Sequence, residues 1–254
     1  MEIQGHKFLV TGGASGMGRN FTLNLAKHGG DVAFCDLNDE AIAEVEAEGA
    51  SLPGKVVGFK ANVADEGEVI ALIKGVREAL GGLDGVVNNA GIFRDGLLVK
   101  ADRETGEIKK MSLQKWQQVI DVDLTGPFLV SREFAAAAIE NKHPGVIVNI
   151  SSISRYGNMG QSNYSAAKAG LVADTKLWGN ELARYGIRTG AIAPGFVDTP
   201  ILQGMRPDVL EKMLRAVPLR RAADPDEIFL AVKFIIECDF FTGRCIDVDG
   251  GQVV

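Results

Sequence analysis

The sequence predicts an α/β protein with a single doubly wound domain, in which a seven-stranded parallel sheet is covered by helices on both faces. Short, almost continuously apolar segments alternate along the chain with amphipathic ones, as is typical of parallel strands joined by crossover helices. The chain has 254 residues, of which 46% are hydrophobic, so it can bury one large α/β core or two small ones. Because no linker rich in Pro, Gly or Ser divides it, we expect one domain over residues 1–254.

Each element is predicted from its local pattern. The strands are short apolar segments, and in chain order they cover residues 7–10, 31–37, 55–63, 84–88, 145–150, 187–193 and 245–248. The helices are longer segments with apolar residues at helical spacing, and they cover residues 16–28, 38–48, 66–80, 112–141, 163–185 and 224–238.

Two stretches interrupt this rhythm. Residues 93–110 are long and charged, and they form either an ordinary exposed insertion or a small hairpin that turns at Gly106. Residues of about 197–218 follow the sixth strand, and loops beyond the carboxyl ends of parallel strands bind ligands, so we expect a substrate lid there. Its apolar residues suggest a pocket that suits an acyl chain, a steroid or a quinone about equally; they are Phe196, Ile201, Leu202, Met205, Met213 and Leu214.

Composition excludes several classes of partner. A net charge of -6 and an isoelectric point near 5.2 argue against nucleic acid binding. No apolar run approaches the roughly 20 residues that span a bilayer, so we expect no membrane partner. The three cysteines have no metal-ligand spacing, so we predict no metal site. An odd number of scattered thiols suits a reducing compartment, and the first strand begins too early to leave room for a signal peptide. We therefore expect a cytoplasmic protein.

A glycine-rich turn between the first strand and the first helix is the context of a dinucleotide-binding motif. Gly12 allows a tight turn, Gly16 lets the backbone approach a pyrophosphate, and Gly18 permits close packing of helix on strand. The helix amino terminus adds N–H donors and a positive dipole. We expect this turn, with Ser15 and Met17, to hold the phosphates of a nicotinamide cofactor.

Asp36 ends the second strand, 18 residues after Gly18. A carboxylate at this place accepts hydrogen bonds from both ribose hydroxyls of the adenosine and repels a 2′-phosphate. The neighbouring Ser15 and Leu37 supply no positive charge to offset that repulsion. The sequence therefore favours NAD(H) over NADP(H).

A second informative segment lies past the middle of the chain, where Tyr164 and Lys168 follow Ser151 and Ser152. A spacing of four residues places Tyr164 and Lys168 on one face of a helix. A free tyrosine has a pKa of about 10, and a nearby lysine, together with the charge of an oxidised nicotinamide, favours the phenolate. Tyr164 can therefore take a proton from an alcohol, or give one to a ketone, as a hydride moves to or from the cofactor.

Taken together, these segments resemble the short-chain dehydrogenase/reductase family, and the resemblance covers essentially all 254 residues. Residues 11–18 look like its glycine motif, residues 88–91 like its strand-four motif, and Tyr164 with Lys168 like its catalytic Tyr-x-x-x-Lys pair. The resemblance implies a Rossmann-type fold, a nicotinamide cofactor and a small-molecule substrate. It implies further cofactor contacts from Asn62, Val63, Asn89, Ala90, Gly91, Tyr164, Lys168, Pro194, Gly195, Val197 and Thr199.

The resemblance also assigns particular roles. Gly91 would leave room for the cofactor, and Asn62 would lie on the adenine side where the family usually carries aspartate. The family usually orients its substrate with the second serine of a pair such as Ser151 and Ser152. We therefore assign that role to Ser152, while a spacing to Tyr164 one residue shorter than in many members leaves Ser151 open.

One position departs from the family pattern. Residues 121–126 match a segment that usually carries an asparagine, which supports a water leading to the lysine in a proton relay, where this chain has Asp123. Asp123 has no amide donor and can carry a charge, so one hypothesis is that it pairs with Lys168 and competes with the phenolate for it. The alternative is a relay through the backbone carbonyl, to which the side chain is indifferent. Asp123 is thus a candidate catalytic residue.

Within the family, residues 94–98 and 160–164 look most like 3-oxoacyl-acyl-carrier-protein reductases and 3-hydroxyacyl-CoA dehydrogenases. We therefore expect hydride transfer between NAD(H) and a ketone or secondary alcohol, most like a 3-oxoacyl-thioester reductase. The alternatives are a dehydrogenase of another apolar alcohol (steroid, quinone or polyol type), a redox sensor that binds NAD without catalysis, and a scaffold subunit. The intact serine, tyrosine and lysine favour an enzyme.

The resemblance further implies a homotetramer. Helices 112–141 and 163–185 would pair with their mates across one two-fold axis, and segment 245–254 would build a second interface. The alternative is that the alanines on these helices pack only against the protein's own sheet; they are residues 135–138, Ala166, Ala167, Ala169 and Ala173.

Overall fold

The computed structural model describes residues 1–252, and at Ile201 it describes the backbone alone. The strands are β1 (Lys7–Thr11), β2 (Asp31–Asp36), β3 (Val56–Lys60), β4 (Gly85–Asn88), β5 (Val99–Ala101), β6 (Ile108–Lys110), β7 (Gly145–Ile150), β8 (Ile187–Pro194) and β9 (Arg244–Val248). The helices are α1 (Gly16–Lys27), α2 (Asp39–Gly49), α3 (Glu66–Leu80), α4 (Leu113–Ile120), α5 (Gly126–Glu140), α6 (Ser162–Glu181), α7 (Pro200–Gln203), α8 (Pro207–Ala216) and α9 (Pro225–Glu237).

The main sheet has seven parallel strands in the order β3-β2-β1-β4-β7-β8-β9, which confirms the predicted fold class. The chain builds outward from β1 to β3, then returns to place β4 on the other side of β1. The strand order therefore reverses between β1 and β4. Ligands of open α/β sheets bind beyond the carboxyl ends of the strands at such a point.

Helices cover both faces of the sheet. Phe8 and Val10 of β1 belong to an apolar layer shared with α1, α2 and α9, whereas Leu9 belongs to a layer shared with α3 and α5. Successive strand residues point to opposite faces, and all three side chains are 0% exposed. A continuous apolar strand of this kind is stable only between two helical layers.

A chain of buried amides fixes α6 to the centre of the sheet. The Asn88 side-chain amide donates to the Asn149 Oδ1 at 2.8 Å, and the Asn149 side-chain amide donates to the Thr175 hydroxyl at 2.9 Å. Buried polar groups are tolerated only when paired, so this series specifies one register of β4, β7 and α6. It thereby sets the height at which α6 presents its first turns to the strand ends.

The helix predicted over residues 112–141 runs without a gap from Leu113 to Glu140, but it is not α-helical throughout. The structure has α4 and α5 joined by a π-helical segment, Asp121–Thr125. Pro127 lacks the N–H that an α-helix would donate to the carbonyl of Asp123, and the Gly126 N–H donates five residues back, to Asp121. The π-helical segment places Asp123 inward.

Other boundaries also differ from prediction. The third strand ends at Lys60 rather than at residue 63, so Asn62 and Val63 lie in the loop beyond it. The helix predicted over residues 163–185 ends at Glu181, and a short 3₁₀ turn covers Ala183–Tyr185. Both differences occur at element ends, where periodicity carries little information.

The two irregular stretches form small ordered units. β5 and β6 pair antiparallel around Gly106, whose φ of +71° suits a tight turn, so the hairpin is confirmed. The predicted lid contains α7 and α8, and the Leu202 side chain within it is buried. The predicted contribution of the Ile201 side chain lies outside the described part. Among residues 1–252, no helix is both long and apolar enough to cross a membrane.

Candidate active site

The glycine turn is built against the loop that follows β4. The Asn89 side-chain amide donates to the carbonyls of Thr11 and Gly12 at 3.1 and 3.2 Å. A Cβ on Gly12 would lie 2.9 Å from the Ala90 Cα, and one on Gly18 would lie 2.0 Å from the Gly12 carbonyl oxygen. Only glycine fits at these two positions, because backbone occupies the space of a side chain.

The first turn of α1 faces the lid. Gly16 has a φ of +51°, and a Cβ there would lie 3.8 Å from the Thr199 Cγ2, so a narrow space separates the turn from the start of α7. The first turn holds no acidic residue, and within residues 1–252 the Ser15 side chain makes no capping hydrogen bond to it. The leading N–H groups, which include that of Met17, are therefore available to an anion.

Asp36 lies beside the glycine turn at the end of β2. One of its carboxylate oxygens accepts from the Ala14 N–H at 3.2 Å, and the other accepts from the Leu37 N–H at 2.8 Å. The carboxylate is thus held in one orientation next to the phosphate-binding turn, while the Leu37 side chain is exposed. The position agrees with the one expected for a ribose-binding carboxylate.

The pair Asn62 and Val63 lies on the same edge, just beyond β3. The Asn62 side-chain oxygen accepts from the Ala64 N–H at 3.1 Å, which shapes the loop. Val63 is buried against Gly126, where a Cβ would lie 2.9 Å from the Val63 Cγ2. The loop is therefore packed against the first turn of α5.

The last predicted cofactor residues lie beyond β8, which ends at Pro194. A Cβ on Gly195 would lie 2.8 Å from the Asp249 Cα, so the chain can pass there only as glycine. Val197 is buried and pairs with Ala223 in an isolated bridge, which fixes the base of the lid. The structure thus brings all the predicted cofactor residues to one edge of the sheet.

Tyr164 and Lys168 lie one turn apart on α6, with 8% and 3% of their surfaces exposed. The Lys168 Nζ lies 5.4 Å from the centre of the Tyr164 ring and donates to the carbonyl of Ile150, the last residue of β7, at 3.0 Å. The pair is therefore held at the carboxyl edge of the sheet, beside Gly91, where a Cβ would lie 3.5 Å from the Lys168 Nζ.

Asp123 contacts the same lysine. Its Oδ2 lies 3.2 Å from the Lys168 Nζ, and its Oδ1 accepts from the Ile92 N–H at 2.9 Å. A Cβ on Gly91 would lie 2.8 Å from the Asp123 Oδ2. Asp123 therefore occupies the space that a side chain at position 91 would need.

The three ionisable groups perturb one another. Burial raises the pKa of Tyr164; the charge of Lys168 and the Ser152 hydroxyl lower it, and the charge of Asp123 raises it again, with a net rise. Burial lowers the pKa of Lys168, but Asp123 and Tyr164 raise it by more. Burial raises the pKa of Asp123 against the opposing charge of Lys168. The prediction that Lys168 favours the phenolate therefore describes only one of several opposing effects.

The structure separates the two candidate serines. The Ser151 hydroxyl is buried and donates to the backbone carbonyl of Lys168 at 2.8 Å. Ser152 is only half-buried, accepts from the Ser154 N–H at 3.1 Å, and lowers the pKa of Tyr164. Ser152 is therefore the serine whose hydroxyl faces the tyrosine, and Ser151 secures the helix.

Sequence reasoning missed Phe93, whose ring lies 4.6 Å from that of Tyr164 with the planes at 39°. The ring covers one face of the tyrosine and contributes to its burial. An aromatic residue two positions after the strand-four motif, at the start of an otherwise charged stretch, was the available signal. The insertion that begins there therefore contributes to the site as well as to the surface.

Hydrogen bonds tie the start of this insertion to the turn before Tyr164. The Gly96 N–H donates to the Gly160 carbonyl at 2.8 Å, and the Gln161 amide donates to the Asp95 carboxylate at 3.2 Å. The Asn163 amide donates to the Arg94 carbonyl at 3.2 Å. Residues 93–98 are consequently fixed beside Tyr164, and we call them the cleft wall, the cleft being the space above Tyr164 at the strand ends. Within residues 1–252, no cluster of three metal-ligating side chains is present.

Comparison with known proteins gives consistent matches. The sequence model of a family described as enoyl-(acyl carrier protein) reductase matches residues 12–252. The chain is 38% identical to the 3-oxoacyl-[acyl-carrier-protein] reductase FabG of Thermotoga maritima over 257 aligned residues, covering 100% of both proteins. It is 37% identical to a (3R)-3-hydroxyacyl-CoA dehydrogenase of Canis lupus familiaris, covering 96% of this chain and 94% of the relative. It is also 37% identical to a 3-oxoacyl-[acyl-carrier-protein] reductase of Synechocystis, covering 97% and 96%.

Proposed function

The chain belongs to the short-chain dehydrogenase/reductase family, and from this premise we propose that it reduces the 3-oxo group of an acyl thioester with NADH. Membership makes it an oxidoreductase that acts on a CH–OH group. The observation that carries the finer proposal is the meeting of Ser152, Tyr164 and Lys168 at the strand ends beside the glycine turn. Neither a redox sensor nor a scaffold would require that constellation.

The three side chains divide the chemistry at the carbonyl oxygen. The hydroxyls of Ser152 and Tyr164 would donate hydrogen bonds to it, which fixes the carbonyl carbon in one place. When bound, the nicotinamide supplies the hydride to that carbon. Tyr164 gives its proton to the oxygen as negative charge develops there, and the Lys168 ammonium stabilises the phenolate that remains.

The residues present fit a nicotinamide dinucleotide. The turn at Gly12 and Gly18 has no room for side chains, the leading N–H groups of α1 are free for a pyrophosphate, and Thr199 bounds the narrow space opposite Gly16. Asp36 would hold the adenosine ribose. These positions support the cofactor contacts proposed from the sequence.

The charges around Asp36 support NAD(H) over NADP(H). Two basic residues on the adjoining helix and strand, Arg19 and Lys60, are paired with Glu48 and Asp39. Neither pair supplies an uncompensated positive charge for a 2′-phosphate, and the Asp36 carboxylate would repel it.

We predict at least a tenfold preference for NADH over NADPH in kcat/KM, about 1.4 kcal/mol. Asp36→Ala should narrow the preference for NADH, because it removes both the hydrogen-bond acceptor for the ribose hydroxyls and the charge that repels the 2′-phosphate of NADPH. Glu44→Ala is the matched control, since it removes one exposed carboxylate from α2, and it should keep the parent's preference for NADH. Steady-state kinetics with both cofactors checks this, and equal rates for the parent protein would contradict the argument.

Apolar side chains around the cleft support an acyl substrate. Phe93 and Leu97 come from the wall after β4, Tyr156 and Met159 from the loop after β7, and Met205 from the lid, and all five are exposed. Exposed apolar side chains in the loops that follow the carboxyl ends of parallel strands are typical of a ligand-binding surface. The names of the relatives favour an acyl thioester over a steroid, quinone or polyol as the molecule bound there.

A substrate panel followed by NADH absorbance tests the proposal. It comprises acetoacetyl-CoA, longer 3-oxoacyl-CoA thioesters, a steroid ketone, a quinone and a simple cyclic ketone. We expect kcat/KM to be at least about tenfold higher for the thioesters, which corresponds to about 1.4 kcal/mol. Faster reduction of the steroid or the quinone would refute the assignment to a thioester.

We also propose a homotetramer. Ala136, Ala166 and Ala169 are exposed on α5 and α6, whereas Ala135 and Ala167 are buried in the chain's own core. The exposed alanines suit close helix approach across a two-fold axis. The predicted second interface, residues 245–254, includes two residues outside the described part.

We also place the protein in the cytoplasm. All three cysteines are free, which suits a reducing compartment.

Light scattering at micromolar concentration should give four times the chain mass of 27.1 kDa. The physical reason is that each exposed alanine face would bury the same face of another copy. A particle of 27.1 kDa would show instead that the helices pack only within one chain.

A further inference from the structure

The ion pair between Asp123 and Lys168 lies beneath the reactive tyrosine and is closed to solvent. The Asp123 side chain is 0% exposed and that of Lys168 is 4% exposed. Removing one member of such a pair leaves an uncompensated buried charge, which is strongly destabilising, so each charge depends on the other. A pair this deep acts on its neighbours with little screening by salt.

Three local features place the carboxylate there. The π-helical segment Asp121–Thr125 turns Asp123 inward, and such segments are frequent at functional sites. The Ile92 N–H orients one carboxylate oxygen, and Gly91 leaves room for the other. The carboxylate also links Lys168 to the backbone just before Phe93, which packs on Tyr164.

We infer that Asp123 is the counter-ion of Lys168 and that, by offsetting the charge of that lysine, it lets the buried Tyr164 stay in the protonated form, which is the form that reduction of a carbonyl needs. Asp123 is then a positioning residue that acts through Lys168 and through its electric field. The inference about the direction of catalysis rests on the proposed function, whereas the inference about Tyr164 does not.

The sign of the effect follows from the charges that face Tyr164. Lys168 favours the phenolate, while Asp123 and, at the cleft wall, Asp95 disfavour it. The Ser152 hydroxyl favours the phenolate but carries no charge. Burial is the largest effect and raises the pKa of Tyr164, and because Asp123 and Lys168 carry opposite charges side by side, part of the lysine's opposing effect is cancelled.

This arrangement favours the protonated form of Tyr164 and leaves the equilibrium between ketone and alcohol unchanged. Reduction of a ketone begins with the phenol, and oxidation of an alcohol begins with the phenolate. A site that keeps its proton up to higher pH remains competent for reduction over a wider range. It becomes competent for oxidation only at more alkaline pH.

A spectroscopic titration of the protein without cofactor tests the inference independently of any substrate. The chain has three tyrosines, so the Tyr156→Phe/Tyr185→Phe variant leaves Tyr164 as the one phenol whose ultraviolet absorbance reports ionisation. Adding Asp123→Asn should move the Tyr164 midpoint to lower pH by about one unit or more. An unchanged or higher midpoint would overturn the inference.

Asp84→Asn is the matched control for loss of a buried carboxylate. Asp84 is also buried, but it precedes β4 at the opposite edge of the sheet, where it accepts from the Lys7 N–H at 2.8 Å and contacts His143 at 2.6 Å. The Tyr164 midpoint should stay at its parent value in this variant. A shift equal to that of Asp123→Asn would mean a general structural effect and would also overturn the inference.

A second comparison avoids dependence on one variant. The double variant Lys168→Ala/Asp123→Asn lacks both charges of the ion pair. Its Tyr164 midpoint should lie at a lower pH than that of Lys168→Ala alone, because the negative charge of Asp123 no longer opposes the phenolate. Equal midpoints in the two variants would contradict a direct effect of Asp123.

A pH profile of the active enzyme tests the consequence for catalysis. Asp123→Asn should move the alkaline decline of the ketone-reduction rate to lower pH. An unchanged profile would contradict the inference about the direction of catalysis.

Discussion

Tyr164→Phe is expected to lower kcat for carbonyl reduction by about 10²–10⁴-fold, the range typical of a general acid. The substitution removes only the phenol oxygen, so the ring can keep its contact with Phe93 at 4.6 Å and its place over Lys168. NADH affinity should therefore stay close to that of the parent protein. Single-turnover reduction and fluorescence titration with NADH measure the two quantities separately.

Tyr185→Phe provides the control for this substitution. Tyr185 lies in the turn after α6, where its hydroxyl accepts a hydrogen bond from Arg184, far along the helix from the strand ends. Its rates should match the parent. If Tyr164→Phe retained activity within about tenfold of the parent, the hydroxyl would not be the proton donor.

Lys168→Ala is expected to damage both chemistry and cofactor binding. The ammonium stabilises the phenolate of Tyr164, and the family resemblance places it against the nicotinamide ribose as well. We expect kcat/KM to fall by about 10³-fold, within the range for acid–base groups, together with a weaker Kd for NADH. Loss of chemistry with unchanged NADH affinity would remove the proposed role in cofactor binding.

The same substitution should make stability depend on pH. Without Lys168, burial raises the pKa of Asp123 further above its unfolded value of about 3.9. A carboxyl with a raised folded-state pKa favours folding below the unfolded value and loses that contribution as pH rises through the folded value. The free energy of unfolding of Lys168→Ala should therefore fall as pH rises from about 4.

Adding Asp123→Asn should remove that dependence and restore stability. Breaking a buried ion pair on one side typically costs about 3–5 kcal/mol, and removing both charges avoids most of that cost. Thermal unfolding of the single and double variants across the pH range measures the effect. If both variants showed the same dependence on pH, Asp123 would not be the charge responsible.

The parallel strands and the motif positions were predictable because each depends on a local pattern. Near-continuous apolar runs predict strands buried on both faces, and Gly12, Gly16 and Gly18 lie at the spacing that a strand–turn–helix requires. The carboxyl ends of parallel strands meet at one edge. Residues as distant in sequence as Asp36 and Thr199 could therefore be assigned to one site in advance.

The π-helical segment between α4 and α5 could not be predicted from periodicity, because apolar spacing continues across it. One proline, Pro127, removes the N–H that would have continued the α-helix, and the chain adjusts locally by π-type bonding instead of ending the helix. This adjustment bears directly on function, since it orients Asp123 toward Lys168.

Contacts between distant segments were the other unpredictable part. The contact between Gly91 and the carboxylate of Asp123 depended on where residue 123 came to lie. The choice between Ser151 and Ser152 depended on which hydroxyl α6 engaged. Phe93 reached Tyr164 because the loop after β4 is hydrogen-bonded to the turn before α6. Each outcome requires the packed tertiary structure.

The most direct test of the account follows the hydride itself. The protein is given acetoacetyl-CoA and NADH that carries deuterium at both positions of nicotinamide carbon 4, and the product thioester is examined by mass spectrometry. The account predicts a 3-hydroxyacyl product with one deuterium on carbon 3 for each NADH consumed. The Tyr164→Phe variant should form little of this product. Oxidation of NADH without deuterium in the product, or no oxidation with any 3-oxoacyl thioester, would contradict the assignment.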